Sequence, residues 1–266
     1  MSLPTPSSDS IAVVTGGSSG IGEQLARQLS ARGHQVALVA RREDCLTRLA
    51  DELGGPGRAI PVCADLAEPE DRDMLAARLD ELGVVEILVN NAGMGVHVAF
   101  VDADREDELK QLRVNVETVV DLMGRYLPGM VERGRGAVIQ VASTVSFQPI
   151  PVQAVYAATK AFVRSFSEAV SAELKGTGVA VTALCPGPVA TEFLEAGGFK
   201  NETPGPSFIW STAEDVAKAG IEGVDKGKRV VVPGVVNRAT AFFGQHGPHS
   251  VLLGPVANAY RRVIGE

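Results

Sequence analysis

The sequence predicts one α/β domain with a doubly wound, mainly parallel sheet of seven strands. Short apolar runs rich in β-branched residues alternate with longer segments that carry apolar residues at helical spacing, a pattern typical of β-α-β crossovers. The 266 residues, 45% of them hydrophobic, are enough for one full core. Glycine-rich and polar stretches follow the predicted strands, and the carboxyl ends of strands are where such sheets bind ligands.

Composition and charge exclude several classes of protein. A net charge of −7 and a pI of about 5.2 argue against nucleic acid as a partner. The cysteines Cys45, Cys63 and Cys185 are odd in number and widely spaced, which fits a reducing compartment and neither a disulfide framework nor a metal site. Residues 1–10 lack the regions of a signal peptide, and no run of 18 apolar residues occurs. We therefore expect a cytoplasmic protein whose residues 1–10 form a flexible leader.

The first predicted strand, Ile11–Thr15, leads into a glycine-rich turn and then a helix over Glu23–Arg32. Glycine allows positive φ and a close approach of backbone to a ligand. The helix N-terminus offers free N–H groups and a positive dipole end to a pyrophosphate. A tight turn without a ligand is the alternative, but the strand before and the helix after favour nucleotide binding. The residues predicted to bind are Gly16, Ser18, Ser19, Gly20, Ile21 and Gly22.

The end of the second strand, Gln35–Ala40, predicts which dinucleotide is bound. A site for NAD(H) places a carboxylate there to hold the ribose hydroxyls. Here Arg41 and Arg42 follow the strand, and guanidinium groups pair with a 2′-phosphate. The two arginines could instead cap a solvated helix, but cations are unfavourable near a helix N-terminus. We therefore predict NADP(H) as the cofactor.

The middle of the chain continues the alternation. Strands over Arg58–Ala64 and Glu86–Asn90 each end in polar residues or glycine. The first of these ends could meet an adenine, whereas the second, taken alone, would be a plain turn. The residues concerned are Asp65, Leu66, Asn91, Ala92 and Gly93.

Helices are predicted over Glu43–Leu53 and Glu68–Leu82, and a longer helical pattern covers Asp104–Arg133. Asn115 lies in the middle of that longer pattern. Because asparagine is unfavourable inside a helix, Asn115 is either exposed or used. Pro128 could kink this helix or restart it.

A fifth strand over Val138–Ala142 ends at Ser143, and the next helix, Gln153–Lys175, carries Tyr156 and Lys160 one turn apart on the same face. A lysine ammonium near a phenol favours the phenolate, which lowers the tyrosine pKa from about 10 and allows acid–base chemistry near neutral pH. Taken alone, this spacing also recurs by chance. The buried positions predicted on this helix are Val155, Phe162, Phe166, Ala169 and Val170, and the remaining strands are Val179–Leu184 and Arg229–Pro233.

Together these motifs resemble the short-chain dehydrogenase/reductase family, of the NADP-preferring type with an extended C-terminal tail. The resemblance covers about residues 10–235 and includes the spacing of thirteen residues between Ser143 and Tyr156. It implies a Rossmann-like fold and a catalytic tetrad of Asn115, Ser143, Tyr156 and Lys160. It also implies an adenine-side acid at Asp65, a ribose-lining segment at Asn90–Gly93, and a nicotinamide carboxamide site at Pro186, Gly187, Val189 and Thr191.

The resemblance further implies a mechanism. Tyr156 would donate a proton to a carbonyl oxygen in reduction or remove one from an alcohol in oxidation, while Ser143 hydrogen-bonds that oxygen. Lys160 would lower the pKa of Tyr156 and hold the nicotinamide ribose, and Asn115 would support a water that links Lys160 to solvent. A homodimer or homotetramer through the helices of Asn115 and Tyr156 is also implied.

Apolar residues around the predicted site favour a small hydrophobic ketone, aldehyde or secondary alcohol as substrate. The segment 190–210 is either a closing lid or an ordinary loop. The predicted substrate contacts are Ser143, Val145, Gln148, Tyr156 and Phe193, and further pocket candidates are Met94, Val96, His97, Phe147, Ile150, Val152, Leu194, Phe199, Phe208, Ile209 and Trp210.

The predicted oxidoreductase domain covers residues 11–234, and residues 235–266 are predicted to be a helical extension packed on it. The extension could instead cover the substrate, extend an oligomer or lie on a membrane, although it lacks a Lys/Arg-rich face. A non-catalytic dinucleotide sensor or an interaction protein on the same fold is the alternative function. The presence of both Tyr156 and Lys160 argues against a sensor, and the complete tetrad argues against dehydratase or epimerase chemistry.

Overall fold

The structure, a computed structural model, describes residues 2–192, 209–248 and 253–254. They form a seven-stranded sheet in which all neighbouring strands run parallel, in the order β3-β2-β1-β4-β5-β6-β7. Helices connect the strands and cover both faces, as right-handed crossovers in a parallel sheet require. The predicted fold class is confirmed.

The element boundaries lie close to those predicted. The strands are β1 (Ser10–Thr15), β2 (Gln35–Ala40), β3 (Ala59–Cys63), β4 (Val84–Asn90), β5 (Gly136–Val141), β6 (Val179–Leu184) and β7 (Val230–Val231). The helices are α1 (Gly20–Ala31), α2 (Glu43–Glu52), α3 (Pro69–Leu82), α4 (Arg105–Leu112), α5 (Thr118–Glu132), α6 (Ala154–Glu173), α7 (Ala213–Asp225) and α8 (Val235–His246).

The sheet is buried between two hydrophobic layers. One layer packs α1, α2 and α7 on the sheet and includes Leu25, Leu46 and Ile221. The other packs α3, α5 and α6 and includes Leu75 and Leu122. Because both faces are covered, every residue of β1, β5 and β6 is buried. This explains why these strands appear in the sequence as continuous apolar runs.

Two helices depart from the prediction near the candidate site. α1 begins at Gly20 rather than Glu23, so the second half of the glycine turn is already the first turn of the helix. The pattern over Asp104–Arg133 is divided by a π-helical turn at Arg113–Glu117, which contains Asn115. Pro128 lies inside α5 without ending it. The irregularity therefore occurs at the buried asparagine and not at the proline.

The buried face of α6 differs from the predicted one. Val170 is buried as predicted, but Phe162 and Ala169 are exposed, and Val155 and Phe166 are half-buried. The face toward the sheet carries Tyr156, Lys160, Val163, Ser167 and Val170. The helix is rotated so that its two chemically important polar side chains lie inside, which moves the phenylalanines outward.

The N-terminal segment is also different from its prediction. Leu3 is buried, and its backbone N–H donates to Oδ1 of Asp225 at 3.1 Å, so this part of residues 1–10 packs on the domain and is not a free leader. Within the described residues, none of the helices combines the length and the hydrophobicity that crossing a bilayer requires. The boundary at residues 234/235 stays a prediction, although α8 begins there.

Candidate active site

A cavity of about 920 Å³ opens at the carboxyl edge of the sheet. Arg41 and Arg42 line one end of it, and Ser143, Tyr156 and Lys160 line the other. Ligands of open parallel sheets bind at this edge. The remaining predicted residues that line the cavity are Gly16, Ser18, Ser19, Gly20, Ile21, Asp65, Leu66, Asn91, Ala92, Gly93, Val145, Pro186, Gly187, Val189 and Thr191.

The glycine turn between β1 and α1 depends on missing side chains. Gly16 and Gly20 have φ of +65° and +59°, which other residues rarely adopt. A Cβ on Gly22 would overlap the carbonyl oxygen of Gly16 and the side-chain amide of Asn91. Gly22 is buried and is not among the residues that line the cavity. It was predicted to contact the cofactor, but it acts by letting α1 pack directly under the turn.

The start of α1 fits a bound pyrophosphate. Gly20 and Ile21, its first two residues, line the cavity. Ser19 has an extended backbone, and within the described part of the chain its side chain does not cap the helix. Uncapped first-turn N–H groups and the positive dipole end therefore remain for an anionic group. With the two arginines nearby, this end of the cavity suits a phosphorylated dinucleotide.

The side chain of Arg42 makes three polar contacts with described residues at the rim of the cavity. Its Nη2 donates to the Oγ atoms of Ser18 and Ser19, both at 3.1 Å. The same nitrogen lies 2.8 Å from Oε2 of Glu192. The hydrogen bond between the two side chains raises the pKa of Arg42 and lowers the pKa of the Glu192 carboxyl. Glu192 was not singled out from the sequence, since no local pattern links it to Arg42.

Asp65 lies at the end of β3 and faces the same cavity. Its Oδ2 pairs with Nζ of Lys110 at 3.1 Å, and its Oδ1 accepts from the N–H of Ala67. Burial acts to raise the pKa of Asp65, but these hydrogen bonds and the charges of Lys110 and Arg41 outweigh it and hold the pKa below its usual value. Asp65 is therefore an ionised acceptor at the predicted adenine side.

Lys160 is buried beside Tyr156. It is 5% exposed, and its Nζ donates to the backbone carbonyl of Val141 at 2.8 Å. The same atom lies 5.8 Å from the centroid of the Tyr156 ring. Burial lowers the pKa of Lys160 to about 8, with a smaller opposing effect from Cys185. Ser143, whose Oγ accepts from the N–H of Val145 at 3.3 Å, lines the same end of the cavity.

Asn115 is buried behind this group and does not line the cavity. Its Nδ2 donates to the carbonyl of Met94 at 2.9 Å and to Oγ1 of Thr159 at 3.0 Å, and its Oδ1 accepts from the N–H of Met94 at 3.0 Å. A Cβ on Gly93 would lie 3.3 Å from Asn115 Oδ1 and 3.4 Å from Lys160 Nζ. Asn115 therefore fixes the chain at Gly93 and Met94 beside the lysine.

The substrate end differs in part from the prediction. Val145, Met94 and His97 line it, and the rings of His97 and Tyr156 are 6.2 Å apart. Gln148 is not among the described residues of the cavity wall, because its side chain packs against Gly244 of α8. The candidates Val96, Phe147, Ile150 and Val152 also lie off the wall, and Phe193, Leu194, Phe199 and Phe208 lie outside the described residues.

Gln153 is a cavity residue that the sequence analysis missed. It is 4% exposed, lines the cavity and immediately precedes α6. It stands three residues before Tyr156, a spacing that puts two residues on the same side of a helix. A polar residue at that spacing from Tyr156 was the sequence signal that could have identified Gln153 as a cavity residue.

The turn before Gln153 is strained, since the buried Val152 has φ of +59°. This backbone conformation costs about 1–3 kcal/mol and requires support from its surroundings.

Comparison with known proteins shows, independently of the site geometry, which family the chain is similar to. The family model for short chain dehydrogenase matches residues 10–199. A short chain dehydrogenase of Pseudocercospora fijiensis is 42% identical over 185 residues, which are 68% of this chain and 60% of that protein. The very-long-chain 3-oxoacyl-CoA reductase of Bos taurus is 34% identical over 212 residues, 77% of this chain and 68% of that protein. The chain thus spans less than two thirds of the length of the fungal relative.

Among solved structures, a short-chain dehydrogenase from Sphingobium yanoikuyae in complex with NADPH superposes with a TM-score of 0.78 at 32% identity. The match covers 88% of this chain and 92% of that one.

Replacing Lys160 by Met should change how stability depends on pH. The folded-state pKa is about 8, against an ordinary lysine value of 10.5, so between these values the unfolded chain binds more protons and the wild-type free energy of unfolding gains from rising pH. Lys160→Met lacks this gain. From pH 7.5 to 9.5 its stability relative to wild type should fall by on the order of 1–2 kcal/mol, measured by urea unfolding.

Lys175→Met is the matched control, because Lys175 is exposed. Its stability relative to wild type should be the same at both pH values. A Lys160→Met difference that also stays constant with pH would show that the buried lysine is not destabilised in its charged form.

Proposed function

This chain belongs to the short chain dehydrogenase family, and we propose that it is an NADP(H)-dependent oxidoreductase for a hydrophobic ketone, aldehyde or secondary alcohol. One observation carries the proposal. A single cavity joins Arg41 and Arg42 at one end to Ser143, Tyr156 and Lys160 at the other. The cavity thus offers a phosphate-binding end and an acid–base end within one space.

The cofactor end is assigned from the residues that line it. The first turn of α1 holds the pyrophosphate, Arg41 pairs with the 2′-phosphate, and Asp65 accepts a hydrogen bond on the adenine side. The nicotinamide carboxamide is assigned to Pro186, Gly187, Val189 and Thr191. When bound, NADP(H) supplies or accepts the hydride. The NADPH complex of the Sphingobium yanoikuyae relative supports the choice of cofactor.

Tyr156 is assigned as the general acid and base. In reduction its hydroxyl donates a proton to the carbonyl oxygen, and in oxidation its phenolate removes one from the alcohol. Lys160 favours the phenolate while it is charged, because opposite charges stabilise each other more strongly in a buried site than in water. Ser143 donates to the same substrate oxygen. Asn115 is a positioning residue that acts through Met94 and Thr159.

The substrate end of the cavity is mostly apolar. Met94 and Val145 line it, with His97 beside the Tyr156 ring. Such a surface excludes water from the hydride-transfer region and favours an apolar substrate. The Bos taurus relative is named a reductase of very-long-chain 3-oxoacyl-CoA, which supports a ketone on an apolar chain. A cytoplasmic location stays a prediction.

Turnover should depend on the hydroxyl of Tyr156. Tyr156→Phe should lower kcat by at least about 100-fold, the usual contribution of a positioned acid or base, while NADPH affinity stays within about threefold. The readout is loss of NADPH absorbance with a panel of hydrophobic ketones and aldehydes.

Tyr126→Phe makes the same change at a buried tyrosine of α5 that is not part of the cavity wall, and it should keep wild-type turnover. Near wild-type kcat in Tyr156→Phe would refute the assigned role. Tight NADPH binding by wild type without any turnover would favour the sensor alternative.

Removing the side chain of Arg41 should affect the affinity for NADPH but not the affinity for NADH. Arg41→Ala should weaken NADPH binding by about 10- to 100-fold, because a charge-assisted pair is lost, and should leave NADH affinity within about twofold. Fluorescence titration of both cofactors measures this. Arg58→Ala, another exposed arginine, should change neither affinity. Wild-type protein that binds NADH as tightly as NADPH would contradict the proposed cofactor.

We also propose that a second copy covers an apolar strip on α5 and α6. Val120, which is 44% exposed, lines a groove together with Met123, Leu127 and Phe166. The 39% exposed Phe162 stacks on Phe166, with ring centroids 5.6 Å apart. Wild type should sediment as a dimer or tetramer, and Val120→Asp with Phe162→Asp should dissociate it. Met74→Asp, which charges the 63% exposed Met74 of α3, should not. A monomeric wild type would overturn the proposal.

A further inference from the structure

Glu192 forms an ion pair with Arg42, which lies at the cofactor end of the cavity. Its carboxylate lies 2.8 Å from Nη2 of Arg42, and both side chains line the same cavity. The adjoining Thr191 lies over the glycine turn, where a Cβ on Gly20 would be 3.0 Å from its Cγ2. The bridge therefore joins the segment after β6 to the end of β2, across the glycine turn.

We infer that Glu192 is a cofactor-selectivity residue that competes with the 2′-phosphate of NADP(H) for Arg42. This inference rests on the proposed function. The two anions need the same nitrogen of the guanidinium, which the carboxylate and the hydroxyls of Ser18 and Ser19 already use. A dinucleotide with a 2′-phosphate must displace Glu192, whereas one with a free 2′-hydroxyl leaves the bridge intact.

The 2′-phosphate should bind Arg42 more tightly than the Glu192 carboxylate does. A phosphate monoester carries close to two negative charges near neutral pH and has three strong acceptor oxygens, against one charge on the carboxylate. The bridge is also open to solvent, with the side chains of Arg42 and Glu192 46% and 60% exposed. Exposed ion pairs are weak. Glu192 therefore lowers NADP(H) affinity modestly, and it does not block the site.

This arrangement also predicts which partner is released. Once Arg42 turns to the phosphate, the Glu192 carboxylate is left near a second anion and is repelled from it. Arrival of NADP(H) thus detaches the Glu192 side chain from Arg42, and arrival of NAD(H) does not. The selectivity effect and the detachment have the same cause, which is the exchange of anions at Arg42.

The test is a double-mutant cycle on the two side chains, with Kd of NADPH and NADH measured by fluorescence titration at one fixed ionic strength. Glu192→Gln should tighten NADPH binding by about two- to fivefold, the range expected for an exposed ion pair, and leave NADH binding unchanged. In the Arg42→Gln background, Glu192→Gln should keep only a small general charge effect on NADPH binding and leave NADH binding unchanged.

Asp44→Asn provides the charge control. Asp44 lies two residues from Arg42 on the first turn of α2, and the described structure shows no ion pair between them. This change removes one nearby negative charge without breaking the bridge, so its gain in NADPH affinity should be smaller than that of Glu192→Gln. An equal gain would show that Glu192 acts only through its negative charge and not through the ion pair with Arg42, and it would overturn the inference.

Other outcomes separate this inference from the proposed function. If Arg41→Ala weakens NADPH binding but Glu192→Gln leaves it unchanged or weakens it, only the inference about Glu192 fails. If wild-type protein does not prefer NADPH at all, both fail. A gain from Glu192→Gln that is undiminished in the Arg42→Gln background would also overturn the competition at Arg42.

Discussion

A small group of hydrogen bonds joins the carboxyl ends of β1 and β4, and the geometry of the whole cavity edge depends on these bonds. Thr15 Oγ1 donates to the carbonyl of Val89 and accepts from the N–H groups of Asn91 and Ala92. Asn91 Nδ2 returns hydrogen bonds to the carbonyls of Thr15 and Gly16. These bonds hold the glycine turn against residues 91–93. Because Gly93 is next to Lys160, the same fastening fixes the distance between the two ends of the cavity.

At the other end, polar side chains are buried and anchored by backbone. Lys160 donates to the carbonyl of Val141. The side-chain amide of Asn115 donates to the carbonyl of Met94 and accepts from the N–H of the same residue. A buried polar group is costly unless it finds a partner, so these contacts make the site compatible with a folded core. The burial that disfavours the lysine charge also makes that charge effective toward Tyr156, since charges interact more strongly in a buried site than in water.

Local sequence patterns were enough to predict most of the fold. The bounds of β2 and β6 were predicted without error, because strands buried on both faces are nearly continuous apolar runs. Features that depend on distant contacts were missed. The outward position of Phe162 follows from the orientation of α6 on the sheet, Gln148 is held by α8, and Glu192 meets Arg42 only after the chain has folded. For the site, residues on strand ends were predictable, whereas their partners from other elements were not.

The π-helical turn at Arg113–Glu117 limits how this stretch of chain can change in length. In a regular helix one residue more or less turns everything beyond it by about 100°. Here α4 must present Lys110 to Asp65, while α5 must present Leu122 to the core. A chain one residue shorter would form a smoother helix but could align only one of these two contacts. Variation among relatives should therefore take the form of substitutions in this helix, with its residue count held constant.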